Sequence, residues 1–263
     1  MSPKLLLVGG GRMGAALVGG LVAGGWADPA SLAVLDTDPG ARERIAASHP
    51  GVTVVAEPVV AEGVVLAVKP DVAEAACRSM MSAPPRRLLS VVAGLSTARL
   101  AAALPPGTAV VRAMPNTPAL VGAGVSVISG GDTATSADLD WAESVLGSVG
   151  TVVRLPERYL DAVTGLSGSG PAYVFLVAEA LIDAGVMAGL PPDVSRDLAI
   201  GTIAGAAKLL VESDDSPGEL RAAVTSPAGT TAAAIRTLEF KAVRSAFIEA
   251  VAAATERSRQ LGR

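Results

Sequence analysis

The chain has 263 residues, room for roughly two domains at about 150 residues each, and half of it is hydrophobic, which excludes a disordered tail. One histidine (His49), one cysteine (Cys77) and four lysines exclude a Cys/His zinc site and a disulfide framework within the chain, and a Ser-His-Asp triad would have to use His49. The net charge of −4, with no Lys/Arg cluster longer than a pair, argues against a nucleic-acid partner.

From the N-terminus, short apolar runs alternate with helical stretches. Strands are expected at residues 4–8, 32–35, 52–55, 64–68, 88–92 and 109–112. Several are continuous Val/Leu runs, the pattern of a parallel sheet buried on both faces. Helices are expected at 13–23 and at 97–104, the latter with Ser96 as N-cap. This order predicts an α/β region with an N-terminal Rossmann-type doubly wound sheet over residues 1–157. The uncharged run 113–131 contains Pro115, Asn116, Pro118 and several glycines, so it breaks as a helix. From about Glu157 the strand signals stop, and helices are expected at 171–186, 193–212, 228–238 and 242–261. Residues 158–263 therefore read as an all-α domain. Gly201 and Gly205 share one helix face and serve either packing within the domain or a helix–helix dimer interface. The apolar stretch 174–190 carries Glu179 and Asp183, which are costly in lipid. The first apolar run meets Gly9 and Arg12 too soon for a secretory leader. The expectation is a cytoplasmic protein with no membrane partner and no metal site.

Gly9, Gly11 and Gly14 form G-x-G-x-x-G between the first strand and a helix. The first glycine permits the tight turn, the second admits a pyrophosphate and the third lets helix and strand approach. Arg12 and Met13 open the helix, whose N-terminal amides and dipole favour phosphate. Asp36 ends the second strand, at the distance expected of an acid that binds a ribose 2′-hydroxyl. Arg12, Arg42 and Arg44 are alternatives suited to a 2′-phosphate, unless Arg42 and Arg44 form a solvated helix face. Ligands of such sheets lie beyond the carboxyl ends of the strands. That places Ala67-Val68-Lys69-Pro70 and Ala93-Gly94 at the cofactor. Asn116 either orients the nicotinamide or substrate or sits in an Asn-Thr-Pro turn.

Two segments, 166–173 and 224–231, set hydroxyls and glycines around expected helix starts, with Pro171 and Pro227 at the first helical position. Ser167, Ser169, Ser226, Thr230 and Thr231 there would receive a small carboxylate, or else serve as ordinary caps. His49 is expected in an exposed turn and Cys77 in a helix as a small buried residue. Glu179 and Asp183 read as a solvated edge more readily than as an acid/base pair.

These residues resemble the pyrroline-5-carboxylate reductase family over essentially the whole chain. The resemblance is carried by Gly9–Gly14, by Ala67-Val-Lys-Pro70, by Val91-Val-Ala-Gly94 and by Arg112-Ala-Met-Pro-Asn-Thr-Pro-Ala-Leu-Val-Gly122. Its most specific parts are residues 160–173, Leu-Asp-Ala-Val-Thr-Gly-Leu-Ser-Gly-Ser-Gly-Pro-Ala-Tyr, and 223–231, Ala-Val-Thr-Ser-Pro-Ala-Gly-Thr-Thr. It implies hydride transfer from NADPH, with NADH open, to the C=N carbon of a cyclic imine carboxylate. It implies that Ser169, Gly170, Ser226, Gly229, Thr230 and Thr231 meet the substrate, with Thr231 nearest the ring nitrogen. Cofactor contacts are carried to Gly9, Gly11, Arg12, Met13, Gly14, Asp36, Thr37, Ala67, Val68, Lys69, Pro70, Ala93, Gly94 and Asn116. It further implies a homodimer through the C-terminal helices, assembled into a decamer. The chain departs from the family pattern at Ala228, at Lys241-Ala242, at Asp36-Thr37 and at Glu57. The alternatives are a reductase of a related imine, a hydroxyacid dehydrogenase using Lys208 as acid, and a dinucleotide sensor without turnover. A protonated imine already accepts hydride, so the site needs positioning and water exclusion more than a tuned acid.

Overall fold

The computed structural model describes residues 2–262. The chain divides into two units, one running to Ser169 and resuming at Ala253, the other Gly170–Ala252.

The first unit carries β1 (Leu5–Val8), β2 (Leu32–Leu35), β3 (Thr53–Val55), β4 (Gly63–Leu66), β5 (Arg87–Ser90), β6 (Ala109–Met114), β7 (Gly124–Gly130) and β8 (Gly150–Arg154). Their order in one sheet is β3-β2-β1-β4-β5-β6-β7-β8. β1 to β6 are parallel, as the unbroken Val/Leu runs predict. β7 runs antiparallel to β6, and β8 is parallel to β7. These last two strands were not among the expected ones. Pro115 and Pro118 do break the run 113–131, but only locally. They lie at and before the 3₁₀ turn Thr117–Val121, and Gly122, at φ 72°, turns the chain into β7.

Helices α1 (Arg12–Ala23), α2 (Pro39–Ser48), α3 (Pro70–Ser79), α4 (Thr97–Ala102), α5 (Ser136–Leu146) and α6 (Leu160–Val163) complete this unit, with residues from Ala253 onward. Ser96 caps α4, its hydroxyl accepting from the Arg99 amide at 3.2 Å. The strand pleat sorts the core. Leu5 and Leu7 of β1 join one buried cluster with Leu17 and Leu21 of α1. Leu6 and Val8 join the other with Ala73 and Cys77 of α3. Each fully buried leucine contributes about 1.5–3 kcal/mol. Both faces of the sheet are therefore sealed by the unit's own residues.

The second unit holds α7 (Gly170–Met187), α8 (Pro192–Glu212), α9 (Pro217–Ala223) and α10 (Thr230–Phe240), and the final helix α11 is Val243–Leu261. α7 and α8 form a hairpin in which the Ser195 hydroxyl donates to the Ile182 carbonyl at 2.7 Å. A Cβ on Gly185 would clash with that hydroxyl, which explains the glycine. The expected helix 228–238 starts later, at Thr230. Ala228 has φ 57°, outside the helical region, so neither it nor Pro227 opens the helix. The apolar residues of this unit remain largely uncovered: Val211 is 85% exposed, Phe240 84% and Ile248 71%. Gly201 and Gly205 face open space, which removes packing within the unit as their explanation. By length and composition the helical run Glu157–Met187 could cross a membrane, though Glu179 and Asp183 fall within it.

Candidate active site

Strand order reverses between β1 and β4, which makes their carboxyl ends the crevice of the sheet. Val8 pairs with both Leu35 and Leu66, so the loops leaving β1, β2 and β4 emerge side by side. Gly9 has φ 108°, and a Cβ there would run into the Ala67 carbonyl. A Cβ on Gly14 would overlap the Gly9 carbonyl, so the third glycine sets the helix–strand distance. Gly11 is different: nothing lies within 4 Å of where its Cβ would stand. It caps α1 with no side-chain hydrogen bond, leaving the first-turn amides for a ligand. Arg12 is exposed beside it and Met13 is half-buried. This cradle fits the pyrophosphate of a nicotinamide dinucleotide.

Asp36 follows β2 and faces the glycine loop. Its Oδ2 accepts from the Gly10 amide at 2.8 Å and its Oδ1 from the Asp38 amide at 2.9 Å. The carboxylate thus ties the end of β2 to the glycine loop. Arg42 does not form a solvated face. Its Nη1 donates to the carbonyls of Asp36 and Thr37, at 2.9 and 3.0 Å. Arg44 pairs with Asp38 at 3.6 Å. A cavity of about 310 Å³ opens here, lined by Val8, Gly9, Asp36, Thr37, Val68 and Val72.

Lys69 caps α3, with Pro70 as its first residue. A second cavity, of about 270 Å³, joins Pro70, Ala93 and Gly94 to Thr164, Ser169 and Ser258. It brings expected cofactor residues and an expected substrate residue into one space. The wall from the chain's end is fixed by Ser258, whose hydroxyl donates to Asp161 Oδ1 at 2.7 Å. Gly94, at φ 79°, lies against the backbone of Leu261. Below it, Glu157 accepts from the Thr97 amide and hydroxyl at 2.8 and 2.7 Å and from Arg112 Nη1 at 3.0 Å. Burial pushes the Glu157 carboxyl up, but Thr97 and Arg112 together hold it below the ordinary carboxylate range. Sequence reasoning missed this cluster, because its members are 45 and 60 residues apart.

The glycine-serine segment at 164–170 corrects an expectation. It is not a free helix start. Residues Thr164–Gly168 form a π turn that follows α6, and the Ser169 amide already donates to the Thr164 carbonyl at 2.8 Å. The Thr164 and Ser167 hydroxyls donate back to the carbonyls of Leu160 and Val163. Hydroxyl residues are needed here because a π turn shifts the usual backbone pairing. Asn116, expected to face a ligand, is buried, with its amide engaged inside the protein. Its Nδ2 donates to the Ser167 carbonyl at 3.1 Å, and its Oδ1 accepts from the Val125 amide at 2.8 Å.

In the second unit, Gly170 opens α7 and Gly229 caps α10. Ser226 is exposed, and a Cβ on Gly229 would meet its hydroxyl, so this glycine keeps Ser226 against the cap. Thr230 and Thr231 form the first turn of α10, where amides are free for a carboxylate. Lys208 is a surface residue 3.8 Å from Glu212, with its side chain 73% exposed, and has no buried setting for acid catalysis. His49 is the C-cap residue of α2, at the end of that helix that leads into β3 rather than the end that leaves β2. Burial raises the Cys77 thiol to about 11, which leaves it inert.

Comparison with known proteins agrees with this geometry. Residues 157–261 match a family described as pyrroline-5-carboxylate reductase dimerisation, and residues 4–94 match one described as NADP oxidoreductase, coenzyme F420-dependent. The solved structure of a pyrroline-5-carboxylate reductase from Coxiella burnetii superposes with a TM-score of 0.93 at 33% identity, covering 100% of both chains. That of a pyrroline carboxylate reductase from Plasmodium falciparum, with NADP bound, gives 0.85 at 29% identity, covering 99% of this chain and 98% of that one. A pyrroline-5-carboxylate reductase from Synechocystis sp. is 40% identical over 269 aligned positions, 100% of each chain. With a likeness that runs from the glycine loop to the last helix, the chain belongs to the pyrroline-5-carboxylate reductase family.

Proposed function

We propose that this protein reduces 1-pyrroline-5-carboxylate to L-proline, the last step of proline biosynthesis, with NADPH as cofactor and NADH as a second donor. The observation that carries this reading is the second cavity, where Pro70, Ala93 and Gly94 of the strand-end loops meet Ser169. Gly9, Gly11, Arg12, Met13 and Gly14 hold the pyrophosphate through open backbone and helix amides. Asp36 and Thr37 meet the adenosine ribose. Ala67, Val68, Lys69, Pro70, Ala93 and Gly94 line the path toward the nicotinamide, which when bound supplies the hydride. Residues 1–157 are thus the dinucleotide-binding part, and 158–263 the substrate-binding and dimerisation part.

Ser169, Gly170, Ser226, Gly229 and Thr230 hold the substrate carboxylate and ring. Thr231 hydrogen-bonds the ring nitrogen as it becomes an amine. The imine is reduced without a dedicated acid, so the work of these residues is to orient the ring and exclude water. The uncovered apolar faces of α7, α8 and α10 suit a homodimer, and repetition of such dimers suits a decamer in the cytoplasm. Initial rates with the imine, run with NADPH and NADH in parallel, test the activity; no oxidation of either cofactor overturns it. Thr231→Ala is expected to lower kcat/KM for the imine about 100-fold, since one transition-state hydrogen bond is lost.

A further inference from the structure

We infer that Asn116 is a positioning residue that supplies the hydrogen bond Pro171 withholds, and so fixes the segment carrying Ser169 and Gly170. In a continuous helix the Ser167 carbonyl would accept from the amide of residue 171. Residue 171 is a proline and has no N–H. The Asn116 side chain fills that vacancy, its Nδ2 donating to the Ser167 carbonyl at 3.1 Å. Asn116 is itself held at the other end, because its Oδ1 accepts from the Val125 amide at the start of β7. Asn116 is 8% exposed, so its side-chain amide has no ready exchange for this bond with bulk water.

The neighbouring contacts point the same way. A Cβ on Gly168 would collide with the Met114 side chain, two residues before Asn116. The end of β6 therefore meets the π turn with both a close steric contact and a hydrogen bond. The effect is to hold Thr164–Gly168 in π geometry, with the Ser169 amide donating to Thr164 rather than one residue later. π turns of this kind collect at functional sites because they re-aim the residues after them. Here those residues are Ser169, which lines the second cavity, and Gly170. On this reading Asn116 acts on the substrate through them.

The inference rests on the reading that Ser169 and Gly170 meet the imine carboxylate, and a double-mutant cycle tests it. Asn116→Ala is expected to raise the imine KM about tenfold. Its Kd for NADPH, measured by calorimetry without substrate, should stay within about twofold of the wild type. Pro171→Ala restores a backbone N–H four residues after Ser167. The Asn116→Ala/Pro171→Ala protein should therefore recover at least about threefold of the loss. A shifted NADPH Kd with an unmoved KM, or a double mutant no better than Asn116→Ala, overturns the inference. If Asn116→Ala does not fold, Asn116→Asp keeps the Oδ1 acceptor for Val125, withdraws the donor to Ser167, and takes its place in the cycle. Amide exchange at residues 167–169 reports the bond without turnover. It should speed up in Asn116→Ala and slow again in the double mutant, even if the imine proves not to be the substrate.

Discussion

The two units close their apolar surfaces in different ways. In the first, Leu5, Leu7, Leu17 and Leu21 on one face of the sheet, and Leu6, Leu66, Leu88 and Leu100 on the other, are all essentially inaccessible in the single chain. In the second, α7, α9 and α10 bury no residue fully, while α8 buries only Ser195 and Ala199. The second unit is just as regular in backbone hydrogen bonding, so regularity and core are separate properties. Its helices are apolar enough to fold and too uncovered to stand in water unaccompanied.

That contrast can be broken most directly at the uncovered faces. Phe240→Asp places a carboxylate where a partner helix would seat. It is expected to weaken self-association by roughly 3 kcal/mol or more, about 100-fold, as read by light scattering over a concentration series. If the variant stays associated to the same dilution as the wild type, the second unit is not completed by a copy of itself. Within the first unit, sensitivity should be internal and independent of concentration. Gly14→Ala forces a methyl into the Gly9 carbonyl and should cost about 1–3 kcal/mol in denaturant unfolding. Gly11→Ala fills only open space, so it should leave stability within about 0.5 kcal/mol while NADPH binding weakens. Equal losses in stability would erase the distinction between the two glycines.

Glu157 sharpens the comparison through pH. Its folded-state pKa is lowered, so its contribution is present above the ordinary carboxylate pKa and is lost as pH falls through the folded value. Glu157→Gln is expected to cost about 2 kcal/mol at neutral pH and to flatten the fall in stability below about pH 4.5, the unperturbed value. A pH profile parallel to the wild type would contradict this. A small effect of opposite sign belongs to the second unit. Ala228 and Ala242, at φ 57° and 55°, hold a left-handed conformation that favours glycine. Ala242→Gly should raise stability by about 0.5–1 kcal/mol, the relieved strain exceeding the added freedom of the unfolded chain.

Much of the first unit was legible because the signal was local. An unbroken Leu-Leu-Leu-Val run, three glycines at fixed spacing and an acid at the end of the next strand define β1, α1 and β2 without knowledge of anything distant. β7 was hidden because its Gly-Val-Ser-Val-Ile-Ser-Gly pattern follows two prolines, whose influence stops at a short turn. The Arg112–Glu157 pair and the Asn116–Ser167 bond were illegible for another reason. They join residues 45 and 51 positions apart in sequence, and only the sheet order brings them together. In the 224–231 segment the helix starts at Thr230, two residues later than expected. A left-handed alanine leaves no mark in composition.

The return of the chain from Ala253 onward to the first unit bears on how the protein is made. Ser258 grips Asp161 across 97 positions of sequence, so the wall beside Gly94 stays open until Ser258 has been made. At about 5–20 residues per second, the ribosome takes roughly 4–17 s to produce Gly170–Ala252 in between. Through that interval the sheet can form while its cofactor crevice lacks a side. A stop just after Ala252 would spare every strand and α7 to α10 but remove Ser258. It would nonetheless yield a nucleotide fold with a gap in its binding site.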